Sequence, residues 1–178
     1  LLSKGPVLIE AKQTIDLDGT VSAAHAGASG NNVNLKAALI KLSNTITTDE
    51  GPSGLSRGGH IVLDGNVLID GSVSLRTEAN NTGNAGNIEF LGGTVGADVP
   101  GRDLNLLAFT LDFAGRGGDI RLKQFNNVAL TNGSFLNDVI IASTGGTNGT
   151  ITIPQDITLG GDGASDPSSL TLGGNVLV

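Results

Sequence analysis

The nearest approach to a reactive constellation in this sequence is Asp64 and Asp70 followed by Arg76. Carboxylates converging on a cation beside a basic residue would suit a cation-dependent lyase. Each of these aspartates precedes a glycine, Gly65 or Gly71, and aspartate before glycine favours a tight bend, so turn chemistry explains both better. No residue is assigned a catalytic role. The segment Gly160-Gly161-Asp162-Gly163-Ala164-Ser165-Asp166 approximates a calcium-binding nonapeptide, but serine stands where the ligand aspartate belongs and the segment does not recur, so it is a loop. Cysteine is absent, which excludes disulfides, thiolate metal sites and a thiol nucleophile. Of the two histidines, His60 holds a turn position taken elsewhere by Asn32, Asn87, Asp119 and Thr150, and His25 lies in a small-residue loop. No metal or cofactor is expected.

Saccharide binding lacks its usual platform. With no tryptophan or tyrosine, the rings on offer are Phe90, Phe109, Phe113, Phe125 and Phe135, and Phe90 falls in a predicted core column. Phe109 and Phe113 sit in an irregular stretch whose bland role is to cover the core beneath a longer loop. That stretch, through Arg102, Asp103, Phe109 and Phe113, is nevertheless the candidate ligand-contact loop, because loops projecting from a rigid scaffold commonly carry function. Threonines Thr45, Thr47, Thr150 and Thr152 do not fall in register as an ice-binding ladder would require, and the sequons at Asn80, Asn132 and Asn148 matter only in a host that glycosylates them.

The elements that must position these residues follow from composition and period. The 178 residues include 28 glycines and 16 asparagines, and 38% apolar against 15% charged residues mark a folded chain with a thin core. A net charge of −7 opposes nucleic acid or an anionic membrane as partner. Apolar stretches such as Leu106 to Leu111 are far shorter than the roughly 20 residues of a bilayer span, so no membrane insertion is expected.

A fixed period is present. An apolar-any-apolar triplet begins at Val7, Val33, Ile61, Ile88, Ile120 and Ile151, at intervals of 26, 28, 27, 32 and 31 residues. Gly30, Gly59, Gly86, Gly118 and Gly149 precede the last five, as a repeated turn delivering a repeated strand. A second alternating block follows at Ile15–Val21, Ile40–Ile46 and Val67–Val73, with an extended copy at Val128–Phe135 and a short one at Ile157–Gly161. Glycine and asparagine at its bends are expected to supply left-handed backbone. A looser third strand is visible at Val73-Ser74-Leu75, Leu104-Asn105-Leu106, Val139-Ile140-Ile141 and Leu170-Thr171-Leu172. Leu35 to Leu42 carries a helical i, i+3, i+4, i+7 spacing, yet it aligns with Ile61 to Ile69, which has none, so strand is preferred.

One such repeat cannot bury its inward side chains alone, whereas stacked repeats bury a continuous column. The prediction is an all-β fold: a right-handed parallel β-helix of about five to six rungs, three short strands per rung, forming a single domain over 1–178. Ile9, Leu35, Leu63, Phe90, Leu122 and Ile153 should stack in one column, and Val7, Val33, Ile61, Ile88, Ile120 and Ile151 in its neighbour. A β-sandwich would need hairpin turns without this period.

The phrases Gly58-Gly59-His60-Ile61-Val62-Leu63, Gly83-Asn84-Ala85-Gly86-Asn87-Ile88-Glu89-Phe90 and Gly117-Gly118-Asp119-Ile120-Arg121-Leu122, with blocks such as Asp70-Gly71-Ser72-Val73, resemble the repeats of filamentous-haemagglutinin-like bacterial exoproteins. The resemblance implies export by two-partner secretion, a place at the cell surface or in the medium, and a role as adhesin shaft or scaffold. The match breaks between Gly92 and Phe113, where Val99-Pro100-Gly101-Arg102-Asp103 interrupts the second block, and the abrupt ends suggest an interior segment of a longer repeat protein. Outward residues form no reactive ladder: Leu8, Asn34, Val62, Glu89, Arg121 and Thr152 on the first strand, and Asp16, Lys41, Leu68, Ala129 and Thr158 on the second. The expected function is a non-enzymatic structural or adhesive rod, with flanking rungs, host or environmental glycans, and end-to-end copies of itself as partners. The alternative is a carbohydrate-binding or polysaccharide-degrading β-helix with a groove near the third and fourth rungs.

Overall fold

A computed structural model of the chain describes residues 1–23, 30–48, 57–79, 83–111, 114–122, 136–153, 157, 159 and 168–178. Among them there are strands and no helix. The first rung carries β1 (Val7–Glu10), β2 (Thr14–Leu17) and β3 (Val21–Ser22), and the second β4 (Val33–Leu42) and β5 (Ile46–Thr47). The third carries β6 (Ile61–Ile69) and β7 (Val73–Arg76), and the fourth β8 (Ile88–Gly92), β9 (Val95–Ala97) and β10 (Leu104–Leu107). Next come β11 (Ile120–Arg121) with β12 (Val139–Ala142), then β13 (Thr150–Thr152) with β14 (Leu170–Gly173), and β15 (Asn175–Leu177) opens a further level. Each strand pairs in parallel with its counterpart one period away, giving a solenoid of about 5 turns.

The first and second strands of a rung run into one another at a shallow corner. In β4 and β6 they are continuous, so both faces belong to one 9-stranded sheet, while the third face is a separate 6-stranded sheet. Inward positions stack like on like. Val7 pairs with Val33, Val33 with Ile61, Ile61 with Ile88, Ile88 with Ile120 and Ile120 with Ile151, the predicted column. Its neighbour runs Ile9, Leu35, Leu63, Phe90. On the third face Leu75, Leu106, Ile141 and Leu172 align. Val33, Ile61, Ile88, Ile120 and Ile151 are each 0% exposed, which is how small side chains give a continuous dry core in so narrow a body.

Of three local expectations one holds, one changes and one falls largely outside the described residues. Leu35 to Leu42 is strand, and its helical look has a cause: pairing with β6 shifts register between Lys36 and Leu39, so the buried set slips from Val33, Leu35 and Ala37 to Ile40 and Leu42. A one-residue slip of a period-two pattern imitates helical spacing. The fourth rung keeps its second block, since Val95 pairs with Val67 and Ala97 with Ile69, and the interruption falls between Ala97 and Leu104. The second blocks at Val128–Phe135 and, in large part, at Ile157–Gly161 lie outside the described residues.

The repeated glycines act by lacking a side chain. Positive φ among the described glycines occurs at Gly65, Gly93, Gly101 and Gly174, so Gly19 and Gly71 at the second-block bends do not supply the expected left-handed backbone, and none of the four belongs to the series Gly30, Gly59, Gly86, Gly118 and Gly149. A Cβ on Gly86 would lie 2.0 Å from the carbonyl oxygen of Gly59, and one on Gly118 would lie 1.8 Å from that of Gly86. The chain there is stacked backbone on backbone. Hydroxyls from the end of the third face close the gap: Thr77 Oγ1 donates to the Gly86 carbonyl at 2.6 Å, and Ser143 Oγ to that of Gly118 at 2.6 Å. Thr48 Oγ1 donates likewise to the Gly59 carbonyl at 2.5 Å, and because Thr48, Thr77 and Ser143 are fully buried, these bonds satisfy polar groups that water cannot reach.

Gly118→Ala is therefore expected to destabilise the fold by more than about 3 kcal/mol, because the clash is with backbone and has nowhere to relax. Gly19→Ala, where a Cβ meets nothing within 4 Å, should be neutral or raise stability by about 0.5 kcal/mol. Denaturant melts of the pair measure the contrast, and equal effects would contradict the stacked-glycine account.

Candidate functional site

The residues singled out in the sequence are dispersed by the fold. Asp64 lies at the first corner, ion-paired with Lys36 at 3.2 Å. Asp70 lies at the next, where Ser43 Oγ donates to it in a short hydrogen bond. Arg76 is on the third face, bound to Glu78 at 2.7 Å. Five residues, Gly65 to Ile69, separate the first two, and all three groups have partners of their own.

The loop leading into β10 is held by its own polar groups. Arg102 grips Asp98 with both Nε (2.8 Å) and a terminal nitrogen (3.1 Å), a forked pair that brackets Gly101 at φ 83. That hydrogen bond, more than the attraction of the charges, holds the Asp98 carboxyl below its ordinary range and raises Arg102. Asp103 Oδ1 accepts the Asp138 backbone N–H at 3.2 Å, and Asp138 Oδ1 accepts that of Ser169 at 2.9 Å, so Asp103 begins a corner ladder. Phe109 is half-buried beneath the guanidinium of Arg76, 5.7 Å from ring centre to charge, a cation–π contact that occupies one face of the ring. Phe113, Phe125, Phe135, His25, Asn80, Asn132 and the Gly160–Asp166 segment lie outside the described residues.

Among the described residues one carboxylate group could hold a cation: Asp16, Asp18 and Asp70 bring oxygens within 4.8 Å of one another. Oxygen donors of this kind suit a hard divalent ion. Lys41 already stands against them, donating to Asp16 at 3.2 Å, and that hydrogen bond and charge raise the Lys41 pKa.

Among the described residues two grooves follow the corners. One of about 510 Å³ runs beside the first strands of the lower rungs, floored by Ala11, Ala37 and Ala38 and edged by Lys12, Lys36 and Asp64. The other, of about 350 Å³, follows the corner that leads into the first face, past Asn32, Arg57, His60, Asn84 and Arg116. Neither is lined by a described residue of the 102–111 stretch.

The second groove is built on a ladder of side-chain acceptors. His60 N–H donates to Asn32 Oδ1, Asn87 N–H to His60 Nδ1, Asp119 N–H to Asn87 Oδ1 and Thr150 N–H to Asp119 Oδ1, each at 2.9 Å. Beside it the Arg116 N–H donates to Asn84 Oδ1 at 2.9 Å. Because Nδ1 of His60 accepts, its ring proton sits on Nε2. Burial pushes the Asp119 carboxyl up, but the Thr150 amide, Arg116 and Arg121 together outweigh it and hold the group below its ordinary range. Sequence alone places His60, Asn32, Asn87, Asp119 and Thr150 in equivalent positions. It does not single out Arg57 and Arg116, although both stand four residues before the first apolar residue of a strand, as Asn84 does.

The chain matches no protein-family model, no curated protein and no solved structure.

A carboxylate with a lowered folded pKa contributes stability that is complete above its ordinary value near 3.8 and is lost as pH falls through the folded value. Asp119→Asn keeps the acceptor oxygen and removes the titration. It is expected to flatten the loss of stability below about pH 4, by less than about 1 kcal/mol, in denaturant melts across a pH series. An acid limb identical to that of the parent would refute the assignment.

Proposed function

We propose that the chain is a non-enzymatic structural and adhesive segment of a secreted bacterial surface exoprotein of the filamentous-haemagglutinin-like kind, a stiff rod that displays loops and corner grooves for attachment. The observation that carries this reading is how the charged side chains singled out above are engaged. Asp64 with Lys36, Asp70 with Ser43, Glu78 with Arg76, Asp98 with Arg102 and Asp119 with Arg116 are each bound within the scaffold. General acid–base chemistry needs groups converging on one reacting atom with pKa values drawn toward neutrality. Asp98 and Asp119 are instead shifted downward, as structural carboxylates are.

The same features support a rod. A stack in which each rung bonds to the next resists bending along its length, and its polar corners can vary without disturbing the buried columns. Export to the surface, in the way the repeat phrases suggest, fits a chain with no cysteine and a weakly charged, acidic exterior.

Displayed on a non-adherent bacterium, the chain should raise retention on host-cell monolayers or glycan-coated surfaces several-fold over a strain displaying nothing. The purified chain should leave polysaccharides at their original length. Retention equal to the control on all surfaces, or depolymerisation lost in Asp64→Ala or Asp70→Ala, would overturn the proposal.

A further inference from the structure

The larger groove lies where the corner between the first and second strands shortens, from residues 11–13 in the first rung to Ala37 and Ala38 in the second and Gly65 in the third. Its floor is methyl: Ala37 is buried, Ala11 half-buried, and Gly65 adds no side chain. A Cβ at Gly65 would lie 1.9 Å from the Ala37 carbonyl oxygen, so no side chain can stand there. Glu10, Lys36 and Asp64 pair strand to strand and form one row of alternating charge along the rim, and Lys12 adds a fourth charge. Lys36 and Asp64 share one contact at 3.2 Å, which leaves two ammonium protons and about three carboxylate lone-pair sites. Glu10 and Lys12 are exposed, and neither makes an ion pair among the described residues. We propose that this groove is a binding site for a neutral oligosaccharide, with its hydroxyls on the charged rim and a C–H face of its rings on the alanine methyls.

The rim selects the ligand class. Two lysines and two carboxylates sum to zero charge, so neither an anion nor a cation gains from the groove as a whole. Donors and acceptors alternate at about 4.8 Å along the row, which matches a hydroxyl, a group that both gives and takes a hydrogen bond. A fatty chain would cover the alanines but strip water from the rim charges without replacing it. A peptide offers donors and acceptors too, but its usual route onto a sheet is an unpaired edge. Here β4 is already paired on both sides, with β1 and β2 on one and β6 on the other. A sugar ring brings a C–H face for the methyls and hydroxyls for the rim. The volume of about 510 Å³ suits a small ligand, and the row from Glu10 to Asp64 spans about 10 Å, room for linked rings. With no aromatic ring in the floor one groove binds weakly, and many displayed copies supply the rest by avidity.

The groove gives the attachment reading a ligand class and rests on that reading for its use. Cello-, malto-, manno- and galacto-oligosaccharides titrated into the purified chain test it directly. At least one should bind saturably, with amide shifts in the NMR spectrum centred on residues 10–12, 36–38 and 64–65, and added salt should change the affinity by less than about twofold. Its O-methylated form, which keeps the ring faces and removes the donors, should bind about tenfold more weakly or worse. Glu10→Ala and Lys12→Ala should each weaken binding about three- to fivefold. Ala38→Arg fills the groove from an exposed position and should abolish binding with an unchanged melting temperature. Arg121→Gln, higher on the first face, should bind as the parent does. No saturable binding in any series, shifts centred elsewhere, unchanged affinity in all three groove variants, or tighter binding of oligogalacturonate, a chitosan oligomer or an unstructured peptide would each overturn the proposal. Retention of the displaying strain is read separately: retention without saturable binding removes the groove alone, and saturable binding with retention at the control level removes the attachment reading alone.

Discussion

Parallel stacking at a fixed spacing governs everything else in this protein. Each residue sits on its counterpart about 4.8 Å away, so a side chain must be compatible with the one above, the one below and the backbone between them. Inside, that requirement selects aliphatic columns such as Val33, Ile61, Ile88, Ile120 and Ile151. At the corner leading into the first face the spacing leaves no room for a Cβ, and stacked glycines are the result. The hydroxyls of Thr77 and Ser143 cross to the carbonyls there, so the tightest part of the structure is also hydrogen-bonded where water is excluded.

The same spacing creates a problem at every corner, where the backbone leaves the sheet and its N–H groups lose their ladder partners. Short side chains with an acceptor solve it rung by rung: Asn32, His60, Asn87 and Asp119 at one corner, Asp103 and Asp138 at another, Asn66 toward Thr94 at a third. Asparagine abundance thus has a structural origin in directed hydrogen bonds as well as in turn propensity. Because these bonds point along the axis, they also decide which polar atoms face outward, and the corners acquire a chemical polarity that the strands lack.

Much of this architecture was legible in the sequence because the period is a property of the covalent chain. The triplets from Val7 to Ile151 and the third-face strands from Val73 to Leu172 pair in the register their spacing predicts. The mechanism of the glycines was not legible, since a residue needed for left-handed backbone and one needed for close approach are the same letter. Helical spacing in Leu35–Leu42 came from a slip in pairing, and the small-residue strand Val95–Ala97 lay hidden because Gly96 and Ala97 carry little apolar signal. The dispersal of Asp64, Asp70 and Arg76 onto separate faces and corners follows from bends the sequence marks but does not orient. Arg57 and Arg116 escaped notice for the opposite reason: 59 residues apart in sequence, they are drawn together by two full turns of the stack.

The corner between the first and second strands differs in length from rung to rung. Three residues, 11–13, bridge it in the first rung, Ala37 and Ala38 in the second, and Gly65 alone in the third, yet the strands on either side remain paired. Such a corner behaves as an expansion joint in the genetic as well as the mechanical sense. A single-codon insertion or deletion inside a strand would turn every following side chain inside out. At the joint it only widens or narrows the bend. Repeat length can therefore change at the joint while the buried columns keep their alignment, and the difference is taken up at the surface where grooves are shaped.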